Sequence, residues 1–198
     1  MLIPTARAEA EIEVKKSRFI SIAIPTSTME EVKEAVLSVR AGHPDATHVV
    51  HAAVIGKAGT MYSSSDDREP KNTAGRPALE VLKGSGITNI TVAIVRYFGG
   101  TLLGTGGLVK AYGDSAKEVL KVVPTEPLIE KTNFSMVIPY NSYTLIKRLF
   151  ETLSVTTINE SFDISINLEG QLPSENLQKL KDGASDIGQG KILLTINT

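Results

Sequence analysis

At 198 residues, with 41% hydrophobic content and a formal net charge of −1, the chain is sized for one or two globular domains and is not a strongly basic nucleic-acid coat. Zero cysteines exclude disulfides, thiolate zinc sites, iron–sulfur clusters and thiol nucleophiles. No apolar stretch reaches the ~20 residues of a membrane span, and the start Met1-Leu2-Ile3-Pro4-Thr5 lacks the regions of a signal peptide, so the expected compartment is the cytosol.

Ala8, Ala10, Ile12 and Val14 alternate with Glu9, Glu11 and Glu13, which predicts a strand with one wet face. A turn at Lys15-Lys16-Ser17 leads to a return strand with Ile20, Ile22 and Ile24 inward, ended by Pro25. Thr28 with Glu31 reads as a capping box. Val32, Ala35, Val36 and Val39 then give a helical stripe that stops at Gly42. His48 to Ile55 reads as a strand, Ser63 to Thr73 as a polar loop, and Pro77 to Leu82 as a short helix. Ile90 to Val95 is apolar on both faces, the pattern of a central strand. A glycine-rich run follows, then a helix carrying Leu108, Ala111, Tyr112, Ser115, Ala116, Val119, Leu120 and Val123 on one face.

Pro124-Thr125-Glu126-Pro127 marks a boundary between domains at 1–125 and 126–198. Beyond it come a strand Lys131 to Ile138, a helix from Asn141, strands Val155 to Asn159 and Phe162 to Leu168, a helix from Ser174 and a last strand Ile192 to Ile196. That order is βαββαβ, a ferredoxin-like unit, so the fold class is α+β. The part through Thr125 carries 15 basic and 13 acidic residues and the remainder 6 and 9, which is compatible with an RNA-facing first half but decides nothing.

The segment Arg96 to Gly113 holds six of the sixteen glycines between a strand pattern and a helix pattern. Glycine lets a ligand approach bare N–H groups, and at a helix start such groups favour an anion, with phosphate the obvious candidate. Neither a P-loop nor a dinucleotide fingerprint fits the spacing, because no Lys follows Gly at the required position and Val109 stands where a third Gly would. The competing reading is a tight turn whose glycines serve packing alone.

Two further clusters could carry chemistry. The loop from Ser65 to Arg76 contains Asp66, Asp67 and Glu69, oxygen ligands suited to Mg²⁺, together with Thr73, Gly75 and Arg76, which could position a partner; a solvated loop held by its own turns is the plain alternative. Arg96, Tyr97 and Phe98, with Lys110 beyond the glycines, mix cations with aromatic faces as RNA readers do, or else form the end of a core strand. His43, His48 and His51 invite a zinc hypothesis, but His48 and His51 fall on opposite faces of a strand. No nucleophile elbow is present.

Three blocks together resemble the IMPACT family, including its bacterial YigZ-type members. They are Lys16-Ser17-Arg18-Phe19, the segment from Ser65-Asp66-Asp67 through Glu69-Pro70 to Thr73-Ala74-Gly75-Arg76-Pro77, and the run from Arg96-Tyr97-Phe98-Gly99-Gly100 to Ala111-Tyr112-Gly113. The resemblance implies an N-terminal domain similar to the second domain of ribosomal protein S5 and a C-terminal ferredoxin-like domain similar to one in elongation factor G. It also implies a link to regulation of translation, by partner binding in eukaryotic members and by nucleic-acid or ribosome binding in bacterial ones. This chain departs from the family pattern at Arg68, Lys71 and Asn72, where small residues are usual, and after His48, where a Cys and a Tyr are usual.

The resulting expectation is a cytosolic binding protein, more a binder than an enzyme, that docks RNA, a ribosome or a translation-factor partner in a mixed-charge groove. Its residues are His48, Ser65, Asp66, Asp67, Glu69, Thr73, Gly75, Arg76, Arg96, Tyr97, Phe98, Gly99, Gly100, Gly104, Thr105, Gly106, Gly107 and Lys110. One alternative is a phosphoryl-transfer or phosphate-ligand enzyme with Asp66, Asp67 or Glu69 on Mg²⁺; another is a protein-interaction module. No cofactor other than Mg²⁺ is implied.

Overall fold

The computed structural model describes residues 1–197. The chain divides into two compact units between Leu128 and Ile129.

The first unit runs β1 (Leu2–Pro4), β2 (Ala8–Val14), β3 (Ser17–Pro25), α1 (Met29–Gly42), β4 (His48–Ile55), β5 (Met61–Ser65), α2 (Gly75–Gly84), β6 (Ile90–Tyr97), α3 (Gly104–Val122) and β7 (Thr125–Pro127). Its main sheet has the order β2-β3-β6-β4-β5, antiparallel throughout. Helices α2 and α3 cover one face over Phe19, Val50, Ala52, Val92, Ile94 and Tyr112, while α1 covers part of the other over Ile20, Ile22, Val49, Ala93 and Val95.

β6 is central and buried from Ile90 to Arg96, because both of its faces meet helices. Period-2 alternation puts Arg96 on the α3 face with Val92 and Ile94, and Tyr97 on the α1 face with Ala93 and Val95. Helix α1 starts as its sequence predicts: Thr28 Oγ1 accepts the N–H of Glu31 at 3.2 Å, and Glu31 reaches back to the N–H of Ser27 at 2.6 Å.

Two stretches of the first unit differ from the sequence expectation. Ser63 to Ser65 continue β5, an edge strand paired among the described residues only with β4; its mostly exposed Met-Tyr-Ser-Ser-Ser sequence carries no apolar alternation. The Pro124 to Pro127 stretch contains β7, which pairs with β1 through Leu2↔Pro127 and Pro4↔Thr125. Partners that distant in sequence leave no local signal. Helix α3 begins at Gly104, where the glycine run meets the helix pattern, a full turn before its first buried apolar residue Leu108.

The second unit runs β8 (Lys131–Ile138), α4 (Tyr143–Thr152), β9 (Thr156–Phe162), β10 (Ile166–Pro173), α5 (Leu177–Gly188) and β11 (Leu193–Asn197). The antiparallel order β11-β8-β10-β9 is the ferredoxin-like arrangement. Phe134, Met136, Ile146, Phe150, Leu168 and Leu180 fill its core, each fully buried apolar side chain contributing about 1.5–3 kcal/mol. Phe162 ends β9 and does not open β10, because the chain turns at residues 163–165, where Asp163 N–H donates to the Ser165 carbonyl. No helix among the described residues is long and apolar enough to cross a membrane.

Candidate functional site

Antiparallel pairing sets His48 of β4 directly opposite Arg96 of β6, on the face shared with α3. A third polar group comes from the loop between β5 and α2. That loop is shaped by two aspartates. Asp66 accepts the N–H groups of Asn72 (2.8 Å), Ala74 (3.1 Å) and Gly75 (2.8 Å), so its carboxylate closes the start of α2, which Ala74 itself cannot cap. Asp67 accepts the N–H of Val49 at 2.6 Å and pairs with Arg40 of α1. Burial pushes the Asp67 carboxyl up, but the Val49 N–H and the Arg40 guanidinium outweigh it, and the net shift is downward.

Held this way, the loop turns Glu69 inward. Its Oε1 accepts Arg96 Nη1 at 2.5 Å and the Tyr112 hydroxyl at 2.7 Å, with His48 Nε2 at 3.8 Å. Glu69 is 8% exposed and Arg96 5%, so the ion pair is desolvated and each charge depends on the other. Burial, and next the Glu69 carboxylate, push the Tyr112 phenol far above its ordinary range, so it keeps its proton and donates it to Glu69. His48 Nδ1 lies 2.8 Å from the Asp67 carbonyl oxygen. A carbonyl only accepts, so Nδ1 carries the proton and Nε2 is the free position of neutral His48.

Helix α3 opens against this cluster. It spans 19 residues, no side chain among the described residues caps its start, no acid lies in its first turn, and Gly104 enters it at φ +72°. The unpaired N–H groups of such an end carry about half a positive charge. Between the helix start and the Glu69–Arg96 pair lies a cavity of about 460 Å³ lined by Thr47, His48, Glu69, Pro70, Arg96, Phe98, Leu102, Leu103, Gly104, Thr105 and Leu108. Arg96 Nε, buried beside it, has no hydrogen-bond partner among the described residues.

Of the residues expected at a site, His48, Glu69, Arg96, Phe98, Gly104 and Thr105 line this cavity. Arg76 and Lys110 line a neighbouring groove between α2 and α3, where Lys110 pairs with Asp114. Tyr97 faces α1 instead, with its hydroxyl 2.9 Å from His43 Nδ1 and Arg18 over its ring. Ser65 Oγ accepts the Asp67 N–H, Thr73 bonds the Pro70 carbonyl, and Gly75 packs so closely that a Cβ there would lie 2.6 Å from the Ser65 oxygen.

The glycines divide in the same way. At Gly99 a Cβ would fall 2.0 Å from the Lys16 carbonyl carbon, and its N–H donates to Ser17 Oγ, so packing accounts for it. Gly100 makes a left-handed turn at φ +84°. Gly107 packs on Leu103, whereas Gly104 and Gly106 face open space.

Asp66, Asp67 and Glu69 do not converge. Each is engaged by different donors, and among the described residues no three His, Asp or Glu side chains form a metal-sized cluster. The three histidines likewise go to separate partners, Tyr97, the Asp67 carbonyl and Ser63. Sequence reasoning missed Thr47, Pro70, Leu102, Leu103 and Leu108 as lining residues, and beyond the family-like run read Tyr112 as part of an apolar face. A tyrosine at a fully buried helical position, needing a partner for its hydroxyl, was the available signal.

Residues 15–120 match the Impact N-terminal domain family. The chain is 38% identical over 195 residues to the IMPACT family member YigZ of Escherichia coli, covering 98% of this chain and 96% of that protein. It is 34% identical over 197 residues to an IMPACT family member of Haemophilus influenzae, again covering 98% and 96%. A solved structure described as that of a hypothetical protein aligns with a TM-score of 0.72 at 38% identity, covering 100% of this chain and 97% of that one.

Proposed function

The chain belongs to the IMPACT family, and from that premise we propose that it is a translation-associated binding protein whose first unit seats a phosphate of RNA at the start of α3. The observation that carries this reading is the cavity in which an uncapped 19-residue helix opens beside a buried arginine whose Nε lacks a partner. Helix N–H groups and dipole favour an anion there. Phe98, 46% exposed at the rim, offers a ring on which an unpaired base can stack. Arg76 and Lys110 in the adjoining groove would hold flanking phosphates. The translational link that the family resemblance implies fits an RNA or ribosome-bound target.

Binding of fluorescent RNAs and purified ribosomes across a salt series tests it. Thr105→Asp places a carboxylate in the first turn of α3, where it favours the helix by about 0.3–1 kcal/mol but repels phosphate. The expected result is an affinity loss of about tenfold with thermal stability retained. Lys110→Ala should reduce the log–log salt slope by about 0.7, one phosphate contact to a single strand. Absence of binding to several RNAs and to ribosomes at low salt overturns the reading.

A protein partner is the second reading, favoured by Leu102 at 82% exposure beside Phe98. It predicts a captured partner that survives nuclease treatment and is lost on Leu102→Ser.

A further inference from the structure

The main sheet has two outer strands, and they are finished differently. β2 carries Glu9, Glu11 and Glu13, charges that discourage another strand from pairing along it. β5 has no charge, no proline and an unbroken register with β4, and among the described residues its other side pairs with no strand. Unpaired N–H and C=O groups along such a strand are a template for one more. Gly75 packs on the backbone of Ser65 and covers that end, so the open stretch is Met61 to Ser64.

Antiparallel pairing fixes which way β5 faces. Met61 stands opposite Ile55 and Ser63 opposite Ala53, and both of those β4 residues pack with Val32 of α1, so Met61 and Ser63 look toward α1. Tyr62 and Ser64 look the other way, where Lys83 of α2 lies over the Tyr62 ring. Helix α1 packs on β4 and β6 and leaves the β5 side open. The result is a cavity of about 450 Å³, with Met29, Val32, Val36 and Leu37 on its helical wall and His51 and Ser63 on the sheet. His51 Nε2 and Ser63 Oγ lie 3.0 Å apart and satisfy each other, so the floor makes no polar demand. Leu37 at the rim is 66% exposed and Met61 beside it 48%. Lys33 is the one charged residue in the lining, and among the described residues it pairs with no acid.

A strand added beside β5 lies about 4.8 Å from it, and every second side chain then points to the α1 side, over the apolar wall. Apolar side chains there cover Val36 and Leu37, and an acidic one meets Lys33. A second copy of this chain brings no acid on its own β5, which is methionine, tyrosine and serine. An RNA strand is held by a succession of cations, and this groove has one. We propose that the groove between α1 and β5 receives an extended segment of a partner protein, added to the sheet beyond β5, with apolar side chains toward α1 at alternate positions and an aspartate or glutamate on Lys33. The surface lies on the opposite face of the sheet from the cavity at α3, so the inference stands apart from the RNA reading.

The experiment pans a displayed library of random octapeptides on the full chain, then measures the enriched sequences as synthetic peptides by anisotropy and by amide exchange of the complex. The expected result is a family with alternating apolar residues and one acid, which slows exchange at residues 61–64. N-methylation of alternate residues along one edge of the peptide should cost at least about tenfold in affinity, because strand addition uses the main chain. Lys33→Glu should weaken the acidic peptide by about tenfold or more, and replacing its acid with lysine should restore binding to that variant. Leu37→Asp, at an exposed position, should weaken every member of the family. No enriched family, or enriched peptides that bind Lys33→Glu and Leu37→Asp unchanged, overturns the inference. A dimer of the full chain in sedimentation that Leu37→Asp dissociates would put a second copy in the groove and overturn it as well. RNA binding at the α3 cavity is untouched by any of these outcomes.

Discussion

Glu69→Gln separates the electrostatics of the cavity from its structure, because it removes a charge while keeping the shape. Arg96 is 5% exposed and Glu69 is its ion-pair partner, so the substitution leaves a buried guanidinium without a counter-charge. Deleting one side of such a pair costs about 3–5 kcal/mol, and Gln keeps an acceptor for Arg96 and Tyr112, so about 2–3 kcal/mol is expected. For a unit of this size that is a fall in Tm of roughly 6–15 °C. Ligand affinity moves the other way. At an effective dielectric of about 20, a like charge on the cavity wall opposes a bound phosphate by a few kcal/mol; screening by water at the open mouth leaves about 1.4 kcal/mol, or about tenfold in affinity. Thermal unfolding and anisotropy with a fluorescent RNA, measured on the same preparation, read both quantities. An unchanged Tm would refute the buried-pair argument, and a fall in affinity in the folded variant would show that Glu69 supports the ligand and does not repel it.

Gly99→Ala should unfold the first unit or cost at least about 3 kcal/mol, since its Cβ would overlap the Lys16 backbone, whereas Gly106→Ala, with open space around it, should stabilise α3 by about 0.5–1 kcal/mol; a melting comparison of the two variants reads both. Burial holds the His51 imidazole below its ordinary range against the opposing charge of Asp67. The unfolded chain therefore binds that proton first, and stability is complete above about pH 6.5 and declines as pH falls below it. His51→Gln should reduce the difference in Tm between pH 7.5 and pH 5, and an undiminished difference would assign it to other groups. Asp66→Ala strips acceptors from three N–H groups and should lower stability by about 1–2 kcal/mol, with faster amide exchange at Ala74 and Gly75 as the local readout.

What was legible in the sequence was whatever repeats locally. The alternation in β2, the two-faced apolar run of β6 and the stripe of α3 each state their own burial, and the order of elements after Leu128 was enough to identify the ferredoxin-like unit. The β1–β7 pair was not legible, because its three-residue strands satisfy one another across some 120 residues. At the site, proximity in sequence misled. Arg96 and Tyr97 are neighbours in the chain and lie on opposite faces of the sheet. Asp66, Asp67 and Glu69 lie within four residues, yet positive φ at Asp67 and Arg68 turns them to three different sets of donors. Neighbouring residues in a strand or a tight turn are the ones that backbone geometry separates most.

The glycine run therefore serves two physical ends, and the first makes the second possible. Gly99 lets the loop after β6 lie on the backbone of Lys16 in the β2–β3 turn, with its N–H on Ser17 Oγ, while Phe98 N–H bonds Thr47 Oγ1. These contacts tie both flanks of the loop to the sheet before the chain reaches Gly104. The start of α3 is thus fixed relative to Arg96 and His48 by backbone packing, and little ordering remains for a ligand to drive. It follows that Gly99 acts on binding only through position. A variant that loosens the anchor without unfolding the unit, such as Ser17→Ala, removes one hydrogen bond worth about 0.5–1.5 kcal/mol. It should weaken RNA binding by a few-fold, with faster amide exchange at residues 99–106. If exchange rises there while affinity is untouched, the cavity does not depend on that anchorage.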